Sequence, residues 1–576
     1  MRESSLLELR KKFKIHNIDG YIVPKNDEFF GEYVDPSNER LKYLTGFTGS
    51  AGQALVLKKQ AFLFVDGRYT LQANKEVKGG FKVIEIHKEK PSQTIKKNKT
   101  KLFIGYDPKL YTENILKNFF SSNKTKLIPV KKNLIDDIWL KKPKIKHKKF
   151  FILNTKHVGQ SYRNKVNLVC AFLKKNNLKN LLITAPENVA WMLNIRGKDN
   201  LFSPIPNCNA IVNYKKKITL IVDNKKINEK FKSKFKKNLE YVNYADLPNY
   251  LGGLDIKENF LIDKITCSLF YKSLIAKKFK YIEKIDPIFF LKSKKNKIEI
   301  SNSIKSHISD GIALTKFIFW IKNNIKKTKI TELSAQKKLE LFRKKNKKYL
   351  FPSFNTISGS GPNGAIVHYR ANNKTNRRIR VNDIYLCDSG GQYNYGTTDV
   401  TRTMCFADQP QRIKNIFTRV LKGHIGVVTY KLKKDTTGKQ LDVIARASLK
   451  KIGLDYAHGT GHGVGYFLNV HEGPQAISKI NRVKLKEGMI VSNEPGYYES
   501  NKFGIRIENL VYIKKHRKKL KFENLTYAPI EKDLINYKLL NKKEKKYLRD
   551  YHKKIYSILG KYLNKKEKKW FGSLIN

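Results

Sequence analysis

The sequence predicts a mixed α/β (α+β) protein, and three observations carry that prediction. A strand, basic turn, strand pattern occurs twice in the first half. A region rich in glycine, histidine and short apolar runs follows, and a charged, helical tail closes the chain. With 576 residues the chain is too long for one core, so several domains are expected.

The first copy of the repeat reads YLTGFTGSAGQALVLKKQAFLFVDGRY, Tyr43 to Tyr69. The second reads WMLNIRG, Trp191 to Gly197, and then NCNAIVNYKKKITLIVDNKK, Asn207 to Lys226. In each, a short apolar strand (Ala54-Leu55-Val56; Ala210-Ile211-Val212) precedes a basic turn, and a second strand ends in Val-Asp (Val65-Asp66; Val222-Asp223). β-Branched and apolar residues bounded by turn residues read as strands. Two similar α/β domains are therefore expected at 1–145 and 146–290. The Lys-rich tract LKSKKNKIEI, Leu291 to Ile300, opens a third domain at 291–515. That region and its border hold seven of the twelve histidines: His307, His368, His424, His458, His462, His471 and His516. Ile413, Ile416, Phe417, Val420 and Leu421 follow the i, i+3, i+4, i+7, i+8 rule of a helix. Strands are expected at Ile384–Asp388, Met489–Glu494 and Ile505–Tyr512. A C-terminal extension at 516–576, helical from about Glu531 and closing with Trp570 and Phe571, is expected to pack on the third domain as an appended helix.

The net charge is +68. Its lysines are spread along the chain in short runs instead of forming one arm or stripe, which points to a lysine-covered surface and no specific nucleic-acid partner. Weak, salt-sensitive adhesion to polyanions still follows from such a charge. Five cysteines (Cys170, Cys208, Cys267, Cys387, Cys405) form no CxxC pair and read as free thiols of a reducing compartment. The start, MRESSLLELRKKFKIHN, lacks an apolar core of roughly 7–15 residues. No apolar run approaches the ~18 residues that span a bilayer. A cytoplasmic protein without membrane attachment is expected.

The chemistry concentrates in the third domain. LCDSGGQYNYGTTDVTRT, Leu386 to Thr403, holds Asp388 and Asp399 on the two arms of a predicted hairpin. A turn centred near Tyr393-Asn394 would set them opposite one another, and carboxylates that close need a proton or cation between them. Glu494 in VSNEPGYY and Glu508 in FGIRIENL repeat the arrangement around the loop YESNK, with Glu508 among apolar neighbours and so in need of a partner. Between the hairpins lies HGTGHGVGYFLNVHEGP, His458 to Pro474, whose glycines at alternate positions mark a close backbone approach. It lacks the Lys-Ser/Thr of a phosphate-binding loop. Four carboxylates and one imidazole formally offset two divalent cations. That donor set suits Mn²⁺ and tolerates Co²⁺, Fe²⁺ or Zn²⁺.

These motifs, together with PSFNTISGSGPNGAIVHY at Pro352–Tyr369, resemble the pita-bread metallopeptidases, and most closely the Xaa-Pro aminopeptidases in their long, three-domain form. The resemblance covers nearly the whole chain. It implies two tandem creatinase-type N-terminal domains, a pita-bread catalytic domain and the C-terminal extension. It also implies two metal ions, Mn²⁺ first, and a homodimer. Carried over by position, Asp388 resembles the aspartate that chelates one metal, Asp399 the bridging aspartate and His462 the single histidine ligand. Glu494 resembles the ligand nearest the water and proton acceptor, and Glu508 the bridging glutamate. His368, His458 and His471 match the active-site histidines that are not ligands. Cys387 stands where an aliphatic residue is more usual; it is expected to be harmless in a strand, with sensitivity to oxidation the one property it could add. The implied reaction is release of the N-terminal residue from peptides with proline second, by attack of a hydroxide held between the metals. A prolidase acting on Xaa-Pro dipeptides and a catalytically inactive binding module of the same fold are the alternatives. The tandem N-terminal domains weigh against the first, and the intact ligand positions against the second.

Overall fold

The computed structural model describes residues 2–77, 79–235, 238–517 and 519–575. It divides into two compact units, Met1–Phe289 and Phe290–Asn576. The repeat seen in the sequence is a structural duplication. In the first unit one six-stranded sheet runs Phe81–Glu85, Ala61–Val65, Gln53–Leu57, Gly20–Pro24, Leu102–Tyr106, Thr125–Pro129. The other runs Leu239–Val242, Ile218–Ile221, Asn209–Asn213, Asn180–Ile183, Asn259–Asp263, Lys280–Lys284, in the same relative order. The pairing senses also repeat: two antiparallel pairs at the centre, parallel pairs outside. Helices cover both faces of such a sheet, so its central strands are apolar throughout. In the first sheet Val56 and Leu63 enter one core, and Leu55 and Phe62 the other.

The second unit opens with the helix Lys297–Asn324, capped by Asn296 and Glu299 in a reciprocal box. Its largest sheet joins Glu472–Ile477, Gly461–Gly463, Ile490–Asn493, Asn509–His516 and Lys519–Asn524. A three-stranded sheet of Ile357–Ser360, Tyr385–Ser389 and Val400–Met404 supplies the other half of the site. The predicted helix around Ile413 spans Gln411–Val428 and buries Ile416, Phe417, Val420 and Leu421.

The C-terminal extension packs on this unit, but as two helices, Lys542–Leu559 and Lys565–Gly572. A 3-10 turn at Gly560–Tyr562 intervenes, and Asn564 with Glu567 caps the second helix. Leu548, Ile555, Leu559 and Phe571 share one core with Phe417, Val420 and Ile505. Ile555 is 1% exposed, so Ile555→Ala is expected to lower stability by about 2–5 kcal/mol, read as a reduced urea midpoint. No helix among the described residues is long and apolar enough to cross a membrane. All five cysteines are free and buried. Burial pushes the Cys387 thiol up to about 12, away from the thiolate, which is the reactive form and needs access.

Candidate metal centre

Two hairpins bring the four carboxylates together. The first differs from the expected register. Tyr393 pairs with Gly396, so the turn is Asn394-Tyr395, one residue later than its composition suggested. Every partner moves by two, and Asp388 faces Thr401 instead of Asp399. Because side chains alternate along a strand, Asp399 keeps to the same side as Thr401 and reaches Asp388 diagonally. In the second hairpin Asn493 faces Asn509 and Gly496 faces Arg506, so Glu494 stands across from Glu508 as expected. Here the ladder is interrupted. The Glu494 N–H donates to the Thr460 carbonyl (2.8 Å) and the Glu508 N–H to the Thr401 carbonyl (3.2 Å). The backbones of the two glutamates thus stitch the histidine loop and the first hairpin to the second.

The alternate glycines of that loop serve this packing. A Cβ on Gly461 would lie 1.9 Å from the Ser492 carbonyl oxygen, and one on Gly463 2.2 Å from that of Glu472. The close approach inferred from sequence is to neighbouring strands of the same chain. Between these glycines His462 is held by its N–H donating to Ser492 Oγ (2.9 Å). Its Nδ1 lies 2.9 Å from the Gly463 carbonyl, to which it donates, so Nε2 is the nitrogen left to face the carboxylates. That nitrogen is 3.4 Å from both Asp399 Oδ2 and Glu494 Oε1. Donor atoms of Asp399, His462 and Glu508 all fall within 4.8 Å of one another.

The electrostatics fit cations. Asp388, Asp399 and Glu508 are buried, and one oxygen of Asp388 has no hydrogen-bond partner, a costly state unless a ligand completes it. Burial and the neighbouring Asp399 and Glu494 outweigh Arg506 and push Asp388 up to about 7. Burial together with the other acids also raises Glu494 and, further, Glu508. Burial would lower His462, but Asp399 and Glu494 lift it to about 9. Without metal, the folded site therefore holds protons that the unfolded chain has lost. Stability from these groups is present near pH 4 and is lost as pH rises through about 7, and for His462 through about 9. Added Mn²⁺ is thus expected to raise the melting temperature more at pH 8 than at pH 5, by differential scanning fluorimetry. An equal rise at both would count against metal replacing these protons.

The three other predicted histidines surround this core. His458 sits on a loop tied by Arg446, whose guanidinium donates to the His458 carbonyl (2.7 Å) and pairs with Asp442. Its Nδ1–H donates to the Gly459 carbonyl (2.7 Å), so Nε2 accepts from the Tyr498 hydroxyl at 2.8 Å. The His471 ring lies 4.2 Å from that of His462, centroid to centroid, and is exposed. His368 is half-buried, next to Val367, whose carbonyl accepts from Arg506 at 3.4 Å. His424 and His307 are structural. Burial lowers His424 to about 3, and its Nδ1–H donates to the Asn493 carbonyl (3.0 Å), fixing the residue before Glu494. His307 is buried and its Nδ1–H donates to the Ser303 carbonyl (2.7 Å).

Sequence reading missed two participants in plain view. Arg506, in the GIRIENL motif, pairs with Asp388 Oδ2 at 2.6 Å and donates to the Tyr498 hydroxyl, linking a carboxylate of the centre to His458. Glu472, after His471, is buried between Lys292 (3.1 Å) and Lys295.

Comparison with known proteins agrees with this centre. Residues 304–515 match the model of metallopeptidase family M24 and 518–573 the C-terminal region of that peptidase family. Residues 6–138 and 141–299 each match a creatinase/prolidase N-terminal domain. A probable Xaa-Pro aminopeptidase P of Laccaria bicolor is 37% identical over 95% of this chain and 89% of its own. The Xaa-Pro aminopeptidase 1 of Dictyostelium discoideum is 36% identical over 95% of this chain and 91% of its own. Among solved structures, the X-prolyl aminopeptidase of Caenorhabditis elegans, described as a cytosolic enzyme with a di-nuclear active site, superposes with TM-score 0.94 and 29% identity over 100% of this chain and 99% of its own. A prolidase of Pyrococcus horikoshii covers 99% of itself but only 64% of this chain, with TM-score 0.51 and 27% identity. With its duplicated N-terminal half, its paired carboxylate hairpins and relatives matched almost end to end, the chain belongs to the Xaa-Pro aminopeptidases of metallopeptidase family M24.

Proposed function

We propose that this protein releases the N-terminal residue from peptides with proline in the second position, using two Mn²⁺ ions held by Asp388, Asp399, His462, Glu494 and Glu508. The observation that carries the reading is the convergence of two carboxylate hairpins and His462: donor atoms of Asp399, His462 and Glu508 lie within 4.8 Å of one another, and a buried Asp388 oxygen has no partner among the described residues. When bound, such a pair of ions supplies Lewis acidity and an activated water. The chain's own residues supply the rest. Glu494, at the open side with its side chain 16% exposed, is placed to accept a proton and deliver it to the leaving nitrogen. His368 and His471 at the rim would hold the substrate and stabilise charge on the scissile carbonyl oxygen, and His458, with its Nδ1–H given to the Gly459 carbonyl and its Nε2 accepting from Tyr498, would have to exchange one of these bonds to join them. The bond cleaved is to a proline nitrogen, which carries no N–H to donate. The acid-rich floor favours a free α-amine, consistent with removal of one residue from the end. The domain division 1–145, 146–290, 291–515 and 516–576, a cytoplasmic location and a homodimer belong to the same proposal.

Metal-stripped protein given back Mn²⁺ should cleave Xaa-Pro-Yaa and leave Xaa-Ala-Yaa intact. Preference for the dipeptide Xaa-Pro would make it a prolidase, and no cleavage despite bound metal would sink the reading. The prolidase alternative is disfavoured by the first α/β domain and the C-terminal helices, which make this chain half as long again as the prolidase it matches.

A further inference from the structure

We propose that Glu332, far from the metal cluster in sequence and in no motif, is the positioning residue for His368. The inference rests on the assignment of His368 to the reaction made above. Glu332 opens the helix Glu332–Lys344 and is fully buried. Its carboxylate accepts from the Ser360 N–H (2.8 Å), Asn363 Nδ2 (3.0 Å), the Tyr369 hydroxyl (2.8 Å) and the Arg377 N–H (2.9 Å). Its carbonyl also accepts from the Ser358 hydroxyl (2.8 Å). One side chain therefore grips the loop both before and after His368, including the very next residue.

Two backbone N–H groups and the Asn363 amide are obligate donors to it, while the Tyr369 hydroxyl also lies 2.9 Å from the Thr375 carbonyl and divides its single proton between the two acceptors. Burial pushes the Glu332 pKa up, and the N–H donors oppose that by favouring the ionised carboxylate. On its other side the loop presses on the strand Phe503–Arg506. A Cβ on Gly504 would fall 1.8 Å from the Gly364 carbonyl oxygen. That strand carries Arg506, which holds Asp388 and reaches the Val367 carbonyl. The segment bearing His368 is thus clamped between Glu332 and the hairpin that supplies Glu508. Ser358 and Ser360 also lie in the strand paired with Tyr385–Ser389, which carries Asp388, so bound Mn²⁺ has to be recorded to separate release of the histidine from damage to the cluster.

Glu332→Gln puts an amide NH₂ against donors. It is expected to lower kcat on an Xaa-Pro-Yaa peptide by about 10–100-fold, the scale of a displacement near 1 Å. Tyr369→Phe removes one bond and should cost less. The deciding measurement is a double-mutant cycle of Glu332→Gln and His368→Ala, with bound Mn²⁺ and melting temperature recorded for each protein. Acting through His368, Glu332→Gln adds little to His368→Ala. Multiplicative losses overturn the proposal, as does a His368→Ala enzyme as active as the parent. If Glu332→Gln does not fold, Tyr369→Phe takes its place in the cycle. Hydrogen exchange across residues 361–377 of the metal-free protein needs no turnover. Faster exchange there in the variant supports the clamp, and unchanged exchange refutes it. An inactive parent would refute the peptidase reading alone, leaving the exchange result to decide the role of Glu332.

Discussion

Asp399→Asn is expected to reduce kcat/KM on Xaa-Pro-Yaa by about 10³-fold or more, roughly 4 kcal/mol of lost transition-state stabilisation. Asp399 is buried and its ligand atom lies within 4.8 Å of those of His462 and Glu508. Asparagine has the same shape but offers one neutral oxygen, and its NH₂ would point at groups that themselves bind cations. The site loses one of the four negative charges that would offset two divalent ions. The variant should fold with a near-normal melting temperature without metal, because it relieves repulsion among crowded acids. Metal analysis should show fewer than two ions retained after gel filtration. A variant that keeps both ions and remains within tenfold of the parent would remove Asp399 from the centre.

Arg506→Met carries the second large effect, about 10²-fold in kcat, together with a stability loss of about 3–5 kcal/mol. The guanidinium pairs with Asp388, and it also donates to Tyr498 Oη, Thr401 Oγ1 (3.1 Å) and the Val367 carbonyl. Removing it strands a buried carboxylate and unties the hydroxyl that orients His458. Lysine keeps the charge but lacks the fork that reaches several acceptors at once, so Arg506→Lys should fall between parent and methionine variant. Steady-state kinetics and urea unfolding of the three proteins test this. Activity of Arg506→Met within threefold of the parent would show that the network is dispensable.

The residues that the fold gathers into the candidate centre were legible because each sits in a short motif whose glycines, prolines and alternation reveal strand, turn and close approach. The duplicated fold was legible for a similar reason, since two short apolar runs around a basic turn, the second ending in Val-Asp, occur twice. What was hidden has physical causes. In YNYG either of two adjacent residue pairs makes an acceptable turn, and composition could not choose Asn394-Tyr395, so the register of Asp388 was misplaced. Lys292 and Lys295 looked like more of a lysine-covered surface in a chain with 117 Lys and Arg. Only the three-dimensional position of Glu472 makes them buried partners. Arg506 was passed over for the same reason. The break in the tail was written in the Asn564 and Glu567 cap, a signal a few residues long inside a run of lysines. Glu332 sits in an ordinary helix start, and its importance lies wholly in which distant donors the fold delivers to it.

The interrupted ladder between Glu494 and Glu508 has a consequence in time. Each hairpin joins residues close in the chain and can close within about 1–10 µs. The contact that joins the two hairpins, Glu508 N–H to the Thr401 carbonyl, spans 107 residues, and the one that ties the histidine loop to the second hairpin, Glu494 N–H to the Thr460 carbonyl, spans 34; contacts of such separation form late. The cluster therefore does not exist until its two halves dock. During refolding a divalent ion has nothing to nucleate upon, and its capture is a clock hand that moves only when the last pieces have met.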